Sequence, residues 1–332
     1  MVIFFVLLAG SKNKIARSKR KIKNMGYAIE LLFDELTTNK VIEIWRQFNC
    51  YGYGIDLLSL NNKPHIALVV YDEMINEETL SEITKVFSDQ IPIFDIEIEG
   101  YGTFNTNEGV VYAKIRKTDI LSRYHKKIHE LSVDRELFSH HYYTPGNWFP
   151  HCTLGINIKG ENISNAINTA SKFELPQIAR VLKASATRFR PVETVCEYGL
   201  QNFQPEVGRF LGKQVDIKID RKINSTHPKH GYNYTCNYGY IPGTKNEDGK
   251  EIDVYILGIS EPINEFKGKC IAIIHRYNDY DDKLIVVPEG LNISNGEINE
   301  MVNFQEQYFR HEIIREDEAR TGAINKVAKI KR

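Results

Sequence analysis

Two histidines stand in the same short phrase at two points of the chain. His65 lies in PHIAL and His151 in PHCTL, each directly after a proline. Imidazoles titrate near neutral pH, so two of them in one cleft can act as general base and general acid on a phosphodiester. A hydroxyl two residues further on can bind a phosphoryl oxygen, and Thr153 takes that position in the second phrase, whereas Ala67 takes it in the first. A single such phrase is more often an ordinary strand segment.

A second group of reactive side chains lies in the last third of the chain. The stretch GTKNEDGKEID carries Asp248 and Asp253, and NDYDDKLIVVP adds Asp281 and Lys283. Carboxylates bind hard cations such as Mg²⁺, whereas lysine, arginine and tyrosine bind phosphate oxygens, so the group predicts metal-assisted attack of water on a phosphoanhydride. Lys250 lies among the acidic residues, where a metal site would repel it and a plain surface hairpin would tolerate it.

The composition bounds the class of protein. With 332 residues the chain is long enough for two domains, and its zero formal net charge makes no case for nucleic-acid or membrane attraction. The five cysteines form no CxxC pair, which indicates neither a thiolate zinc site nor a disulfide framework. These features favour a reducing compartment, so we expect a cytoplasmic protein.

The beginning of the chain differs from the rest. An apolar run, MVIFFVLLAG, is followed by a basic stretch without acidic residues. The run is too short for a transmembrane segment, which needs about 20 residues, and a signal peptide would carry its basic residues first. A weak membrane anchor is one interpretation of this run. We favour the other, in which translation begins at Met25 and residues 1–24 are a disordered or mis-assigned leader.

Strand and helix patterns alternate over residues 25–200. YAIELLF and HIALVVYD have strand patterns, whereas TTNKVIEIWRQF and NEETLSEITKVF have the apolar spacing of helices. A similar order then repeats, which predicts an α+β domain of two related halves. Because side chains alternate across a strand, His151 and Thr153 share one face. If the halves pair face to face, the two imidazoles meet in one cleft.

The pattern changes after Leu200. Residues 201–212 have the composition of a linker, and short strand patterns separated by Gly, Pro, Asn and Asp occupy much of residues 213–320. This spacing predicts a small β-barrel or sandwich, and residues 321–332 form a basic tail.

One helix is predicted near the end of the second domain. It begins at Ser294, which forms a capping box with Glu297. We expect four residues on its inward side: Ile298, Met301, Val302 and Tyr308. The helix would also present Tyr308 and Arg310 to a phosphate group.

The two histidine phrases resemble those of the two-histidine phosphoesterase superfamily, which includes RNA 2′,3′-cyclic phosphodiesterases and proteins called 2′–5′ RNA ligases. The family motif is His-x-Thr/Ser-hydrophobic, once per half, and the likeness covers roughly residues 25–200 and is strongest in NWFPHCTLG. The resemblance implies that His65 and His151 are the acid–base pair, that Thr153 binds phosphate, and that no cofactor is needed. Ala67 departs from the motif and removes one phosphate ligand.

The last third of the chain resembles the soluble, magnesium-dependent inorganic pyrophosphatases, whose fold is an OB-like β-barrel. The likeness rests on NYGYIPGT, on the acidic turn, on DDKLIVVP and on FQEQYF. The resemblance implies Mg²⁺ as cofactor and three metal ligands, Asp248, Asp253 and Asp281. It implies catalytic roles for Lys283 and Tyr238. Contacts to phosphate or substrate are expected from five further residues: Tyr234, Lys250, Tyr308, Arg310 and Lys229.

Lys250 departs from the pyrophosphatase pattern. The family signature is Asp-x-Asp-x-x-Asp, its middle aspartate helps to ready the nucleophilic water, and Lys250 stands at that position. An ammonium there should weaken Mg²⁺ binding and favour phosphate. The upstream glutamate, lysine and arginine of the family have no clear match. A basic cluster stands there instead: Arg221, Lys222, His227, Lys229 and His230.

Two hypotheses of function follow. In the first, the chain is a two-domain hydrolase of phosphate compounds, with a metal-free domain acting on RNA 2′,3′-cyclic phosphates or 2′–5′ linkages and an Mg²⁺-dependent domain acting on pyrophosphate or a related phosphoanhydride. In the second, it is a sensor that binds nucleotides or RNA ends and in which one or both domains are inactive. Ala67 and Lys250 favour the second hypothesis.

Overall fold

The computed structural model describes residues 26–104, 108–246 and 249–318. The predicted leader, the predicted basic tail and Asp248 lie outside the described residues. The chain divides into two compact units: the first holds residues up to Asp89 and Asp95–Leu200, and the second holds Gln90–Phe94 and the chain from Gln201 onward.

The first unit is an α+β fold built on one sheet. Its strands are β1 (Gly26–Phe33), β2 (His65–Tyr71), β3 (Phe94–Thr103), β4 (Val111–Ile115), β5 (His151–Gly155), β6 (Ile178–Phe189) and β7 (Glu193–Gly199). Its helices are α1 (Glu35–Cys50), α2 (Glu77–Gln90), α3 (Asp119–Val133) and α4 (Ile163–Ser171). The predicted alternation of strands and helices is therefore present.

The sheet of the first unit places the two histidine strands at its two ends. The strand order is β2–β1–β6–β3–β4–β5, with β7 added on β6. The β2 and β5 ends come close to each other, because the Trp148 indole N–H just before β5 donates to the Ala67 carbonyl of β2 over 2.9 Å. His65 and His151, which are 86 positions apart in the printed sequence, therefore open into the same cleft.

Local sequence explains where helix α1 begins and which of its side chains are buried. The Asp34 carboxylate accepts the backbone N–H of Thr37 over 2.8 Å and so caps α1. Val41, Ile44 and Phe48 recur at helical spacing and are all buried, as the apolar pattern predicts. Helix α1 therefore packs against the fold through one continuous apolar stripe.

The second unit is a mainly β fold. Its strands are β8 (Gln214–Arg221), β9 (Asn237–Ile241), β10 (Ile252–Ile256), β11 (Glu265–Arg276), β12 (Lys283–Val287) and β13 (His311–Arg315), and its helices are α5 (Pro205–Gly208) and α6 (Asn295–Glu306). The pairings run β12–β10–β9–β8–β11, and β11 also pairs with β12, which makes a closed circuit of five strands, while β13 adds to β11.

The segment 201–212, which reads as a linker in the sequence, packs into the second unit. Val207 on α5 is fully buried and joins an apolar cluster with Val215, Ile217 and Ile252. The backbone N–H of Gln204 donates to the buried Asp282 carboxylate over 2.9 Å. This segment therefore contributes to the core of the unit as well as connecting it.

The end of α6 differs from the prediction. The capping box of Ser294 and Glu297 is present, and Ile298 and Val302 are buried, but the helix ends at Glu306. The placement of Tyr308 and Arg310 on the helix is therefore wrong, since both follow it in a turn before β13. Tyr308 is 66% exposed and Met301 is 40% exposed, so neither lies on the inward side.

In the described part of the chain, every helix is too short or too polar to cross a membrane.

Candidate functional sites

A cleft in the first unit collects the residues that the histidine phrases single out. It has an empty volume of roughly 770 Å³ including the solvent at its mouth. His65, Ala67, His151 and Thr153 all line it. The structure thus brings together both imidazoles and the one hydroxyl that the two motifs provide, and Ala67 leaves an apolar methyl group where a second hydroxyl was expected.

Both imidazoles are oriented by the same local hydrogen bond. His65 Nδ1 lies 2.6 Å from the Lys63 carbonyl oxygen, and His151 Nδ1 lies 2.8 Å from the Phe149 carbonyl oxygen. A carbonyl only accepts, so each Nδ1 carries a proton and donates it. In the neutral rings Nε2 is then the nitrogen with a free lone pair, which is the form that a general base needs.

Glu30 gives the two histidines different surroundings. Its Oε1 lies 3.5 Å from His65 Nε2, and the Thr187 hydroxyl donates to its Oε2 over 3.0 Å. Burial raises the pKa of the Glu30 carboxyl, and the nearby His65 partly opposes that shift. Glu30 is thus a buried acidic group that couples to one histidine of the cleft. Glu30 lies outside both histidine phrases, so they did not predict it.

His151 sits in an aromatic surround instead. Its ring centroid lies 5.1 Å from that of Phe104 and 5.6 Å from that of Tyr112. Burial lowers the pKa of His151 to about 4, while the hydrogen bond to Phe149 opposes the shift and His65 reinforces it. His151 is therefore neutral at pH 7, with Nε2 able to accept a proton.

Two tryptophans hold the motif strands in place. The Trp45 indole N–H donates to the Thr153 carbonyl over 3.1 Å, and the Trp148 indole N–H donates to the Ala67 carbonyl. Both bonds use backbone acceptors. The Thr153 hydroxyl is therefore not consumed by them and lines the cleft together with His151.

In the second unit, Lys283 lies between two of the predicted metal ligands. Its Nζ donates to the carboxylates of Asp253 and Asp281 and is nearly fully buried. Asn246 Nδ2 also donates to Asp281 Oδ1 over 3.1 Å. Burial raises the pKa of Asp281, and the Lys283 ammonium partly opposes that rise. The Lys283 ammonium thus lies between the two carboxylates, at the position where a metal ion would be expected.

A second buried ion pair stands beside this one. Arg276 donates from Nε to Glu306 Oε2 over 2.9 Å and from Nη1 to Asp279 Oδ2 over 2.9 Å. The Tyr255 hydroxyl also donates to Glu306, over 2.5 Å. The bonds from Arg276 and Tyr255 lower the pKa of Glu306 although burial opposes this. Arg276 belongs to no phrase singled out in the sequence, and Glu306 lies within FQEQYF but was given no role there.

The remaining predicted residues of the second unit fall into two groups. Tyr234 and Tyr238 are buried with ring centroids 5.6 Å apart, and Lys283 Nζ lies 5.7 Å from the Tyr238 ring. Burial and then the Asp253 charge raise the pKa of Tyr238 well above its ordinary value, so its hydroxyl stays protonated. The other group lies at the surface: Lys229, Lys250 and Tyr308 are exposed, and Arg310 is half-buried.

Two described carboxylates of the second unit, those of Asp253 and Asp281, could contribute to a magnesium site. No group of three or more His, Cys, Asp or Glu side chains that could hold a metal occurs in the described ranges. Mg²⁺ is nevertheless often bound through only one or two carboxylates, with waters and phosphate oxygens completing the shell. Asp253 and Asp281 provide two such carboxylates, and their shared Lys283 ammonium marks a position that favours positive charge.

Comparisons with known proteins divide the chain in the same two parts. Residues 39–188 match the family described as 2'-5' RNA ligase superfamily, and residues 213–324 match the family described as inorganic pyrophosphatase. The inorganic pyrophosphatase of Rickettsia bellii is 30% identical over 90 residues, which is 26% of this chain and 49% of that protein. The chain thus spans about half the length of that curated relative.

Solved structures are similar to each part at low sequence identity. E. coli LigT complexed with 3'-AMP covers 54% of this chain and 98% of its own, with a TM-score of 0.37 and 11% identity. The inorganic pyrophosphatase from Ehrlichia chaffeensis covers 33% of this chain and 90% of its own, with a TM-score of 0.28 and 19% identity. The family matches thus divide the chain into residues 39–188, which are similar to the 2'-5' RNA ligase superfamily, and residues 213–324, which are similar to inorganic pyrophosphatases.

Proposed function

We propose that the first unit hydrolyses 2′,3′-cyclic phosphates or 2′–5′ phosphodiesters of RNA ends or small nucleotides by metal-free acid–base catalysis. The observation that supports this most is that His65 and His151 line one cleft with each Nδ1 tied to a carbonyl. That arrangement directs both Nε2 atoms to proton transfer.

The different surroundings of the histidines support a division of roles. His151 Nε2, in its aromatic surround, takes the proton of the attacking water while the water oxygen bonds to phosphorus. His65 Nε2 then donates its proton to the leaving oxygen as the bond from phosphorus to that oxygen breaks. Glu30 Oε1, which lies 3.5 Å from His65 Nε2, would orient this ring, and the Thr153 hydroxyl would bind a phosphoryl oxygen. Each turnover ends when His151 releases the proton it has gained to solvent and His65 takes a proton up from solvent.

We propose that the second unit binds and hydrolyses pyrophosphate or a related phosphoanhydride. Asp253 and Asp281, with Asp248, would hold Mg²⁺, which when bound supplies charge neutralisation to the phosphate oxygens and lowers the pKa of a bound water. Lys283, released from its carboxylates, would contact phosphate together with Tyr238. The exposed Lys229, Lys250 and Tyr308, with Arg310, would receive the outer phosphate group.

We also propose a barrel architecture for the second unit and bounds for both domains. The closed circuit of pairings in the second unit supports an OB-like β-barrel. We assign residues 25–200 to the phosphoesterase domain and 213–320 to the pyrophosphatase-like domain, with 201–212 between them. The families of both domains support a cytoplasmic protein that acts on small phosphate compounds.

A chelator separates the two activities. Phosphate release from pyrophosphate should stop in millimolar EDTA, whereas turnover of a 2′,3′-cyclic nucleotide should continue unchanged. Loss of cyclic-phosphate turnover in EDTA would refute the metal-free assignment. For the second unit, pyrophosphate hydrolysis that is unaltered in Asp253→Ala would refute the metal site.

The second candidate function is a sensor in which the second unit binds phosphate compounds without cleaving them. The pairing of Lys283 with both carboxylates and the lysine at position 250 favour it. Lys250→Asp decides between the two: raised pyrophosphate hydrolysis supports a hydrolase whose site the lysine has altered, and an absence of hydrolysis in both proteins supports the sensor.

A further inference from the structure

We propose that the second unit carries a nucleobase-binding surface formed by the rings of His227, His230 and Tyr232, beside its phosphate site. We call these three residues the ring shelf. The inference rests on the proposed function, because it names the class of phosphoanhydride that the site would bind: a nucleoside polyphosphate.

The three rings contact one another at the surface. The His227 centroid lies 4.6 Å from that of His230 and 4.9 Å from that of Tyr232. The ring planes of His230 and Tyr232 are parallel to within 5°, with centroids 6.2 Å apart. His230 is exposed, and the other two rings are half-buried. Flat, partly exposed rings of this kind are the surfaces on which nucleobases stack.

Hydrogen bonds fix the loop that carries the ring shelf. The His227 N–H donates to the Tyr232 carbonyl over 2.8 Å, and the Gly231 N–H donates to the His227 carbonyl over 3.0 Å. His227 Nδ1 accepts the backbone N–H groups of Lys229 and His230, each over 3.1 Å. An accepting Nδ1 leaves the proton on Nε2, so the His227 ring is neutral and fixed. A ligand therefore meets a surface that is already ordered, which reduces the entropy lost on binding.

The ring shelf adjoins the charged centre of the unit. Tyr232 contacts Tyr234 at 5.6 Å between centroids, Tyr234 contacts Tyr238 at 5.6 Å, and Tyr238 lies under Lys283 Nζ at 5.7 Å. Burial raises the pKa of Tyr232, and the hydrogen bond with Tyr234 and the positive charges of Arg276 and Lys283 partly oppose this rise. The ring shelf is thus connected to Lys283 through the buried rings of Tyr234 and Tyr238.

Positive charge surrounds the ring shelf. Besides burial and His230, the charges of Arg221 and Lys229 lower the pKa of His227. Arg221 is half-buried and Lys229 is exposed. Cations beside a stacking surface suit a ligand that joins an aromatic base to an anionic phosphate chain. Inorganic pyrophosphate has the anionic part alone and would leave the rings unused.

The test compares two ligands that carry the same phosphate chain, ATP and inorganic tripolyphosphate. Calorimetric titrations use the full chain in metal-free buffer, so that binding is read without turnover. We expect the chain to bind ATP at least about fivefold more tightly than tripolyphosphate, since stacking of one base contributes roughly 1–3 kcal/mol, and 1.4 kcal/mol is tenfold. His230→Ala and Tyr232→Ala should each reduce this preference and leave tripolyphosphate affinity within about twofold.

Phe138→Ala is the matched control, because Phe138 is an exposed aromatic residue of the first unit, at 67% exposure, outside either proposed site. Its ATP preference should equal that of the wild type. Equal affinity for the two ligands, absence of binding by both, or a preference that survives both ring-shelf substitutions would overturn the inference. Pyrophosphate turnover is measured separately with Mg²⁺, so a chain that cleaves pyrophosphate but shows no base preference refutes the ring shelf alone.

Discussion

Replacing Lys283 tests whether the carboxylates around it can hold a metal. Lys283→Met keeps an apolar side chain of similar length but removes the buried ammonium. The carboxylates of Asp253 and Asp281 both accept hydrogen bonds from that ammonium. Removal of one partner from a buried ion pair costs about 3–5 kcal/mol, because the remaining charge is left uncompensated. The two carboxylates are 30% and 25% exposed, so water solvates them in part and we expect a loss near 3 kcal/mol.

Magnesium should reverse much of that loss. In Lys283→Met the carboxylates no longer have an internal cation, and Mg²⁺ bound at a hundredfold excess over its Kd stabilises a protein by about 2.7 kcal/mol. Urea unfolding in EDTA and in Mg²⁺ measures both changes. The double variant Lys283→Met/Asp253→Asn should lose the magnesium effect.

The matched control is Lys267→Met, which breaks a surface ion pair. Lys267 lies 3.3 Å from Asp216, with side chains 63% and 78% exposed, so its loss should cost less than about 1 kcal/mol and respond to Mg²⁺ as the wild type does. If Lys283→Met unfolds with the same stability in EDTA and in Mg²⁺, the two aspartates do not form a magnesium site.

Three further changes test the first unit. Burial and then His129 lower the pKa of His125 to about 3, below the ordinary 6.5. The unfolded chain therefore binds more protons than the folded chain between roughly pH 3 and 6.5. The free energy of unfolding, measured with urea, should be about 2 kcal/mol lower at pH 5 than at pH 7. The His125→Gln variant should show a smaller difference between the two pH values. Glu30→Gln should lower kcat on a cyclic nucleotide about tenfold, with KM within about twofold; an unchanged kcat would exclude a role for the carboxylate. Ala67→Ser should lower KM a few-fold by restoring a phosphate ligand, and an unchanged KM would show that this position does not touch phosphate.

Periodicity predicted the histidine strands well because it depends only on neighbouring residues. His151 and Thr153 share a face, and Cys152 and Leu154 are buried, as the alternation of a strand requires. Glu30 was not predicted as part of the site, because its approach to His65 depends on the antiparallel register of β1 with β2. One signal was available: Glu30 is the single charged residue in the otherwise apolar strand GYAIELLF.

The second unit shows the same limit. The sequence placed Asp281 and Lys283 together because they are two positions apart, but the pairing of Lys283 with Asp253 arises from the parallel register of β10 and β12, where Val254 lies opposite Leu284. The pattern of residues within one strand does not determine which residues of another strand lie opposite it. The sequence therefore indicated that Asp281 and Lys283 lie together but gave no sign of the bond from Lys283 to Asp253.

The helix end could not be predicted for a related reason. Helix α6 ends at Glu306, whose side chain is buried against Arg276 and Tyr255. After it the chain turns so that β13 can pair with β11. Those partners are distant in sequence, so apolar spacing alone extended the helix through Tyr308 and Arg310.

Turnover of a 2′,3′-cyclic nucleotide by His151→Ala, in EDTA, measures the central claim most directly. If His151 is the general base opposite His65, kcat should fall by about 10²–10⁴-fold while far-ultraviolet circular dichroism shows the fold intact. His65→Ala should show a fall of similar size, and His141→Ala, an exposed histidine outside the cleft lining, should keep wild-type activity. Full activity in His151→Ala would contradict the two-histidine mechanism.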